Sequence, residues 1–218
     1  IELWKHTDVR NTHTLVVSYG GLSGEYWWYS RDNVWEDGKL ARFFPRETLD
    51  ARSIRRETAP DWDYYHIEVA KAAKTLRDNG IRVQVGGHGQ MQGISPHWEA
   101  WSLVQGGFSN WEALRAFTID GVDSIGLSKQ LGSLEVGKKA DLVVLNTNPL
   151  DDIRATSDTR YVMVNGRLFD VDADMAEIGN RAAPAPTFYW QRHKEATGYG
   201  VEYGPTMPCH CPKSGVAH

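Results

Sequence analysis

The sequence predicts an α/β fold, because helix-like segments alternate with short apolar strands and lead into a strand-rich segment. Three stretches support this prediction. A helix over residues 61–79 is followed by a strand at Ile81–Val85 and by the glycine-flanked His88. A capped helix begins after Ser109, and Leu142–Leu145 is an unbroken apolar run of strand length. A helix followed by a strand that ends in such a loop is typical of a β/α barrel, in which the strand C-termini carry the chemistry.

The composition excludes several functional classes. The chain has 218 residues, of which 41% are hydrophobic and 24% charged, so disorder is not expected. A net charge of -4 gives no reason to expect nucleic acid or an anionic membrane as a partner. No apolar run approaches the length of a membrane helix, so we expect no membrane insertion.

The first half of the chain predicts a strand, a long insertion and a helix. Thr14–Tyr19 is apolar and β-branched and predicts a buried strand. Residues 22–60 are aromatic and charged without a long period, and Tyr26–Tyr29 within them is compatible with a helical turn. The helix predicted over 61–79 has apolar residues at helical spacing, and Gly80 fits the position just past its end.

The second half predicts helices followed by strands. Pro96–Gln105 is expected to be helical. Ser109 and Glu112 stand at the spacing of a capping box, which marks the start of a helix. Asn165-Gly166 between two apolar runs predicts a type I′ hairpin turn. Residues 174–179 are expected to form one helical turn.

The sequence of the second half of the chain resembles that of a known family. The pattern Ser-x-x-Glu-Ala-Leu-x-Ala-x-Thr at 109–118 is followed by Gly-Ser-Leu-Glu-x-Gly-Lys-x-Ala-Asp-Leu-Val-Val-Leu at 132–145. Asn148-Pro149 and Tyr161–Leu168 complete it. These stretches resemble the C-terminal signature of metal-dependent amidohydrolases, in particular the imidazolonepropionase-like branch with members fused behind a β-propeller. The resemblance covers roughly residues 12–172.

The resemblance implies a specific architecture. The chain is expected to be the C-terminal portion of a TIM-barrel-like metal-dependent hydrolase plus part of a small β-sandwich. Residues 1–127 would hold the last strands and helices of the (β/α)8 barrel, and 128–172 the sandwich strands. Residues 173–218 would form an extended C-terminal tail. Thr14–Tyr19 and Ile81–Val85 would match the seventh and eighth barrel strands.

Two barrel strands do not close a barrel, which takes about 250 residues. We therefore expect the N-terminal remainder of the amidohydrolase as a partner, either in the same polypeptide or as a separate chain. The start at Ile1, without an initiator methionine, agrees with that expectation. Homo-oligomerisation is also compatible with the sequence. The compartment stays open between periplasmic or secreted and cytoplasmic, with export favoured slightly by the resemblance.

The resemblance also implies chemistry. Family members bind divalent metal, usually zinc, which activates a water for attack on the carbon-nitrogen bond of an amide, cyclic amide or dipeptide-like substrate. The barrel part here has no His-x-His pair, so most metal ligands are expected outside this chain. His88 stands where the family has an aspartate on the eighth strand. It is expected to handle a proton or face the metal, or else to order the loop by hydrogen bonding.

Other candidates are weaker. Tyr19, Gln90 and His97 are predicted to contact the substrate, and packing or loop hydrogen bonds are the alternative for each. Glu99 is expected to be a helix N-terminal charge favoured by the helix dipole. The competing interpretation of the whole chain is a non-catalytic binding or structural module, or an inactive fragment, that keeps the amidohydrolase scaffold.

Overall fold

The computed structural model describes residues 1–18, 20–34, 36–44, 48–50, 58–89 and 91–179. Their fold is α/β, as predicted. The helices include α1 (Glu2–Lys5), α2 (Gly24–Tyr29), α3 (Gly38–Phe43), α4 (His66–Asp78), α5 (Ser95–Gln105), α6 (Asn110–Phe117) and α7 (Ile119–Ser124). The strands are β1 (Asn11–His13), β2 (Val83–Val85), β3 (Leu142–Leu145), β4 (Thr159–Val164), β5 (Arg167–Asp170) and β6 (Ala176–Glu177).

Strands β1 and β2 form a two-stranded parallel sheet in which His13 lies beside Val85. The strand predicted at Thr14–Tyr19 is wrong in position, because Leu15–Val17 forms a 3-10 turn and the ladder uses the polar residues before it. The apolar run is buried all the same, since Leu15 and Val16 are fully inaccessible. Its burial therefore comes from packing of a turn and not from a sheet.

Helices cover one face of this small sheet. Helices α4, α5, α6 and α7 all contact β2, whose Val83 is fully buried. Gln84 belongs to the opposite face, where its Nε2 donates to Thr12 Oγ1 on β1 over 2.6 Å. The side chains thus alternate between a helix-covered apolar face and a face with a polar pair.

Local signals in the helices are confirmed. Ser109 accepts from the backbone N–H of Glu112, whose carboxylate accepts in return from Ser109 N over 2.8 Å, which completes the capping box. Gly80 follows α4 with φ +85°, the left-handed conformation expected just past a helix end. None of the described helices is long and apolar enough to cross a membrane.

The second sheet is antiparallel and has the order β3-β4-β5-β6. The predicted hairpin is confirmed: Asn165 (φ +52°) and Gly166 (φ +79°) connect β4 to β5, as a type I′ turn requires. The helical turn predicted at 174–179 is wrong. Ala176 and Glu177 pair with β5 instead, and Arg167 of β5 binds the carboxylate of Glu177 through two nitrogens.

A 3-10 segment at Ile153–Ser157 joins the second sheet to the helices. Thr156 Oγ1 accepts from the indole N–H of Trp101 on α5 over 2.9 Å. The Arg154 guanidinium lies over the rings of Trp28 and Trp101 and pairs with Asp32 at 2.6 Å. This segment connects the C-terminal sheet to the aromatic core. Domain boundaries at residues 127 and 172 stay a prediction.

Candidate functional site

The candidate site lies where the two parallel strands end. β2 continues directly into the loop Gly86–Gly89, which the register places next to the end of β1. A Cβ added to Gly86 would lie 2.2 Å from the carbonyl oxygen of His13 and 2.6 Å from Thr14 Oγ1. Only glycine permits such an approach of two backbones, so the strand ends are pressed together at this point.

His88 is presented by this loop in a left-handed backbone conformation, with φ +51°. Gly87 before it also has positive φ, at +112°. The His88 side chain is exposed at the strand ends. A non-glycine residue in this region costs free energy, and such conformations cluster at functional sites. The loop therefore holds an accessible imidazole in a conformation that the surrounding structure must enforce.

Side chains from the first turns of α5 bind the backbone of the loop. Ser95 Oγ donates to the carbonyl oxygen of Gly87 over 2.8 Å, and the Glu99 carboxylate accepts from the backbone N–H of Gly87. Glu99 also accepts from the backbone N–H groups of Leu15 and Val16, over 2.8 and 2.9 Å. Burial raises the pKa of Glu99 to about 7, although these three donors oppose the shift.

The expectation that Glu99 is a helix N-terminal charge is therefore wrong. Its side chain is 1% exposed and faces backbone donors of two other segments. The physical reason is its position one turn after Ser95, because both residues then lie on the helix face that meets the strand ends.

His97 lies on α5 but contacts the C-terminal segment. Its Nδ1 is 3.1 Å from Thr156 Oγ1, and its ring meets Phe117 edge-on with centroids 5.3 Å apart. Burial lowers the pKa of His97 to about 4, so the imidazole is neutral at pH 7. The structure thus places His97 between α5, α6 and the 3-10 segment. Its contact with a substrate stays a prediction.

Two further histidines belong to the interior. His66 is fully buried, and its Nε2 donates to Gln105 Oε1 over 3.0 Å. Burial lowers the pKa of His66 to about 4. His13, the last residue of β1, is half-buried, and burial lowers its pKa also. These environments favour neutral packed imidazoles.

Tyr19 and Gln90, the other predicted substrate contacts, lie outside the described residues. Among the described residues, no group of three or more His, Cys, Asp or Glu side chains is arranged to hold a metal ion. His88 by itself does not make a metal site. The described part of the chain therefore does not fit a complete metal centre.

Sequence reasoning missed the role of Ser95 and Glu99. A signal was present, since the two residues are four apart in a helix whose other residues include Trp98, Trp101 and Leu103. A carboxylate inside such an apolar helix requires partners, which here are backbone N–H groups. Two of these donors, Leu15 and Val16, are 84 and 83 residues away from Glu99 in sequence, so no local pattern indicated them.

Comparison with known proteins gives one family and several partial matches. Residues 47–169 match the Amidohydrolase family. A 5'-deoxyadenosine deaminase of Methanobrevibacter smithii is 41% identical over 69 residues, which are 30% of this chain and 15% of that protein. An S-triazine hydrolase of Gordonia rubripertincta is 41% identical over 61 residues, 22% of this chain and 13% of that protein.

Among solved structures, a Xaa-Pro dipeptidase with bound methionine matches at 20% identity with a TM-score of 0.45. The match covers 61% of this chain and 33% of the dipeptidase. The matched part of the chain thus spans about a seventh of each curated relative and a third of this structure.

Proposed function

Since the chain belongs to the amidohydrolase family, we propose that it is the C-terminal part of a metal-dependent hydrolase that cleaves carbon-nitrogen bonds. The family match over residues 47–169 is the observation that carries this proposal. The relatives include a deaminase and a triazine hydrolase. For this chain we propose an amide, a cyclic amide or a dipeptide-like compound as substrate, and the imidazolonepropionase-like branch as its place in the family.

The proposed architecture follows from the parallel pair. β1 and β2 would be the seventh and eighth strands of a β/α barrel, with α4 to α7 as its outer helices. β3 to β6 would be part of the accompanying β-sandwich. The remaining barrel strands would come from the N-terminal part of the enzyme, in the same polypeptide or in another chain. An open two-stranded sheet leaves edges that barrel closure would cover.

A divalent metal, zinc in our proposal, would be bound mainly by residues outside this chain. When bound, such a metal supplies an activated water and polarises the carbonyl group. The contribution of the chain itself would be His88. An exposed imidazole at the C-terminal ends of barrel strands is able to accept a proton or deliver one to the departing nitrogen.

Replacement of His88 tests this role. In the complete protein, His88→Ala is expected to lower turnover by roughly a hundredfold, the usual scale for acid–base groups. The assay would use a panel of acyl dipeptides, lactams and amino-substituted heterocycles, with zinc supplied. His6→Ala is the matched control, because His6 is exposed and lies on the first helical turn of the chain, outside the strand-end loop. Turnover of His88→Ala near the wild-type value would contradict the role.

The alternative is a non-catalytic module that keeps the scaffold. It is favoured by the lack of a metal-ligand group among the described residues and by histidine at the aspartate position. Metal analysis of the complete protein, combined with the same substrate panel, separates the two functions. A protein that binds no metal and hydrolyses none of the panel would support the module.

A further inference from the structure

The loop that carries His88 is held by two buried side chains of α5. Ser95 is fully buried and Glu99 is 1% exposed, and they stand one helical turn apart. Ser95 donates to Gly87 O over 2.8 Å, while Glu99 accepts from Gly87 N. The residue immediately before His88 is thus fixed through both its carbonyl oxygen and its amide hydrogen.

Glu99 joins this loop to the other strand end. Its Oε2 accepts from Leu15 N over 2.8 Å and its Oε1 from Val16 N over 2.9 Å. A carboxylate is the only side-chain group here that offers acceptors to three N–H donors without bringing a donor of its own. The two segments that follow β1 and β2 therefore share one buried carboxylate.

This arrangement of buried carboxylate and left-handed loop costs free energy of folding. Removing a carboxylate from water is unfavourable, and burial is the main cause of the raised pKa of Glu99. A left-handed non-glycine residue such as His88 adds a further cost. Backbone bonds to both sides of Gly87 restrict the rotations that would let His88 leave this conformation.

We propose that Ser95 and Glu99 are positioning residues that fix the Gly87 peptide and thereby place the His88 imidazole at the strand ends. This inference rests on the proposed function of His88 and deepens it. Neither residue touches the reacting atoms. Both act through the backbone of the loop.

The test uses Glu99→Gln in the complete protein. The amide keeps the shape of the side chain but replaces one acceptor oxygen with an NH2 donor, which faces a backbone N–H. Hydrogen exchange of the segments 14–17 and 86–89 is expected to rise at least tenfold. Turnover is expected to fall about tenfold or more, with KM changed less than twofold. Glu112→Gln is the matched control, because Glu112 also accepts a backbone N–H but at the start of α6.

A double-mutant cycle with His88→Ala separates positioning from general destabilisation. If Glu99 acts through His88, adding Glu99→Gln to His88→Ala is expected to lower turnover less than twofold further. Equal losses in both backgrounds would overturn the proposal. Ser95→Ala keeps the test decisive if Glu99→Gln does not fold. It removes only the bond to Gly87 O, and unchanged exchange of 86–89 in this variant would also overturn the proposal.

The outcomes distinguish this inference from the proposed function. Wild-type turnover in His88→Ala would remove the role of His88 and, with it, the positioning role. A slow His88→Ala together with a fully active Glu99→Gln and Ser95→Ala would overturn the positioning role alone.

Discussion

The helix-covered strands and the C-terminal sheet of this chain bury their side chains to very different degrees. Of the described residues, every member of the main hydrophobic cluster except Ile153 lies between positions 15 and 116. In the C-terminal sheet, Val143, Val144 and Val164 are 55%, 40% and 54% exposed. The first region has a packed core, whereas the second is an antiparallel ladder with a partly exposed apolar surface.

This difference indicates two sources of stability. In the first region, burial of large side chains such as Trp98 dominates. In the second, the strands are held by their ladder and by paired side chains such as Arg160 with Asp170. The link between the regions is the 3-10 segment Ile153–Ser157, whose Ile153, Ala155 and Thr156 are buried.

Trp98→Ala should strongly destabilise the first region. Trp98 is fully buried, stacks on Trp28 with centroids 6.2 Å apart and donates its indole N–H to Asp32. Its removal is expected to lower the free energy of unfolding by about 3–5 kcal/mol, measured by urea denaturation. Trp111→Ala is the matched control, because Trp111 is 55% exposed and should lose about 1 kcal/mol or less. Similar losses for the two would contradict the assignment of the core.

Acid should destabilise the first region through its histidines. Burial lowers the pKa of His66 and of His97 to about 4 from 6.5, so the unfolded chain takes up these protons first as the pH falls. Their stabilisation is complete above pH 6.5 and is lost as the pH falls towards 4. His66→Gln should reduce the difference in unfolding free energy between pH 7 and pH 5 by about 2 kcal/mol.

His6→Gln is the control for that experiment, since His6 is exposed and should leave the difference unchanged.

Glu99 works in the opposite direction: its pKa is raised to about 7 from 4.5, so its stabilising contribution is lost as the pH rises through 7. Glu99→Gln should therefore enlarge the same pH 7 to pH 5 difference. A larger or unchanged difference in His66→Gln would contradict the assignment of His66, and a smaller or unchanged difference in Glu99→Gln would contradict that of Glu99.

Thr156→Val should loosen the link between the regions. The indole N–H of Trp101 would lose its acceptor, and a buried donor without a partner costs about 1–2 kcal/mol. Amide exchange of β3 and β4 is expected to accelerate more than that of α4. Ser157→Ala is the neighbouring control, because within the described residues the Ser157 side chain bonds only to the carbonyl of Arg154 in the same segment. Uniform acceleration in all elements would mean that the segment is not a distinct link.

Val143→Thr should have the smallest effect, within about 0.5 kcal/mol, because Val143 is 55% exposed and threonine keeps its β-branched shape. The same substitution at Val83, which is fully buried in β2, is expected to cost more than 1 kcal/mol. Urea denaturation of the two variants compares the regions directly. Equal losses would show that the sheets are buried alike.

Local signals in the sequence predicted local structure well. The capping box at Ser109, the end of α4 at Gly80 and the hairpin at Asn165-Gly166 all formed as expected. Each depends on residues within a few positions of one another. The outcome for Leu142–Leu145 is similar, since its strand formed at the predicted residues.

Interactions distant in sequence were not predictable from these patterns. Leu15–Val17 has strand propensity, yet the N–H groups of Leu15 and Val16 bond to Glu99 and the segment turns. Residues 176–177 form a strand because they pair with the edge of β5. For the candidate site, the sequence indicated His88 but not the buried support beneath it. That support depends on contacts more than 80 positions apart.

The close contact at Gly86 has a practical consequence for engineering. Any library that diversifies the strand-end loop should leave codon 86 unchanged, because even alanine there would collide with the carbonyl of His13. Position 89 has more space, since a Cβ added to Gly89 would meet nothing within 4 Å. Its φ of +70° nevertheless favours asparagine or aspartate over branched side chains. New specificities are therefore best sought from position 89 onward, with His88 left in place.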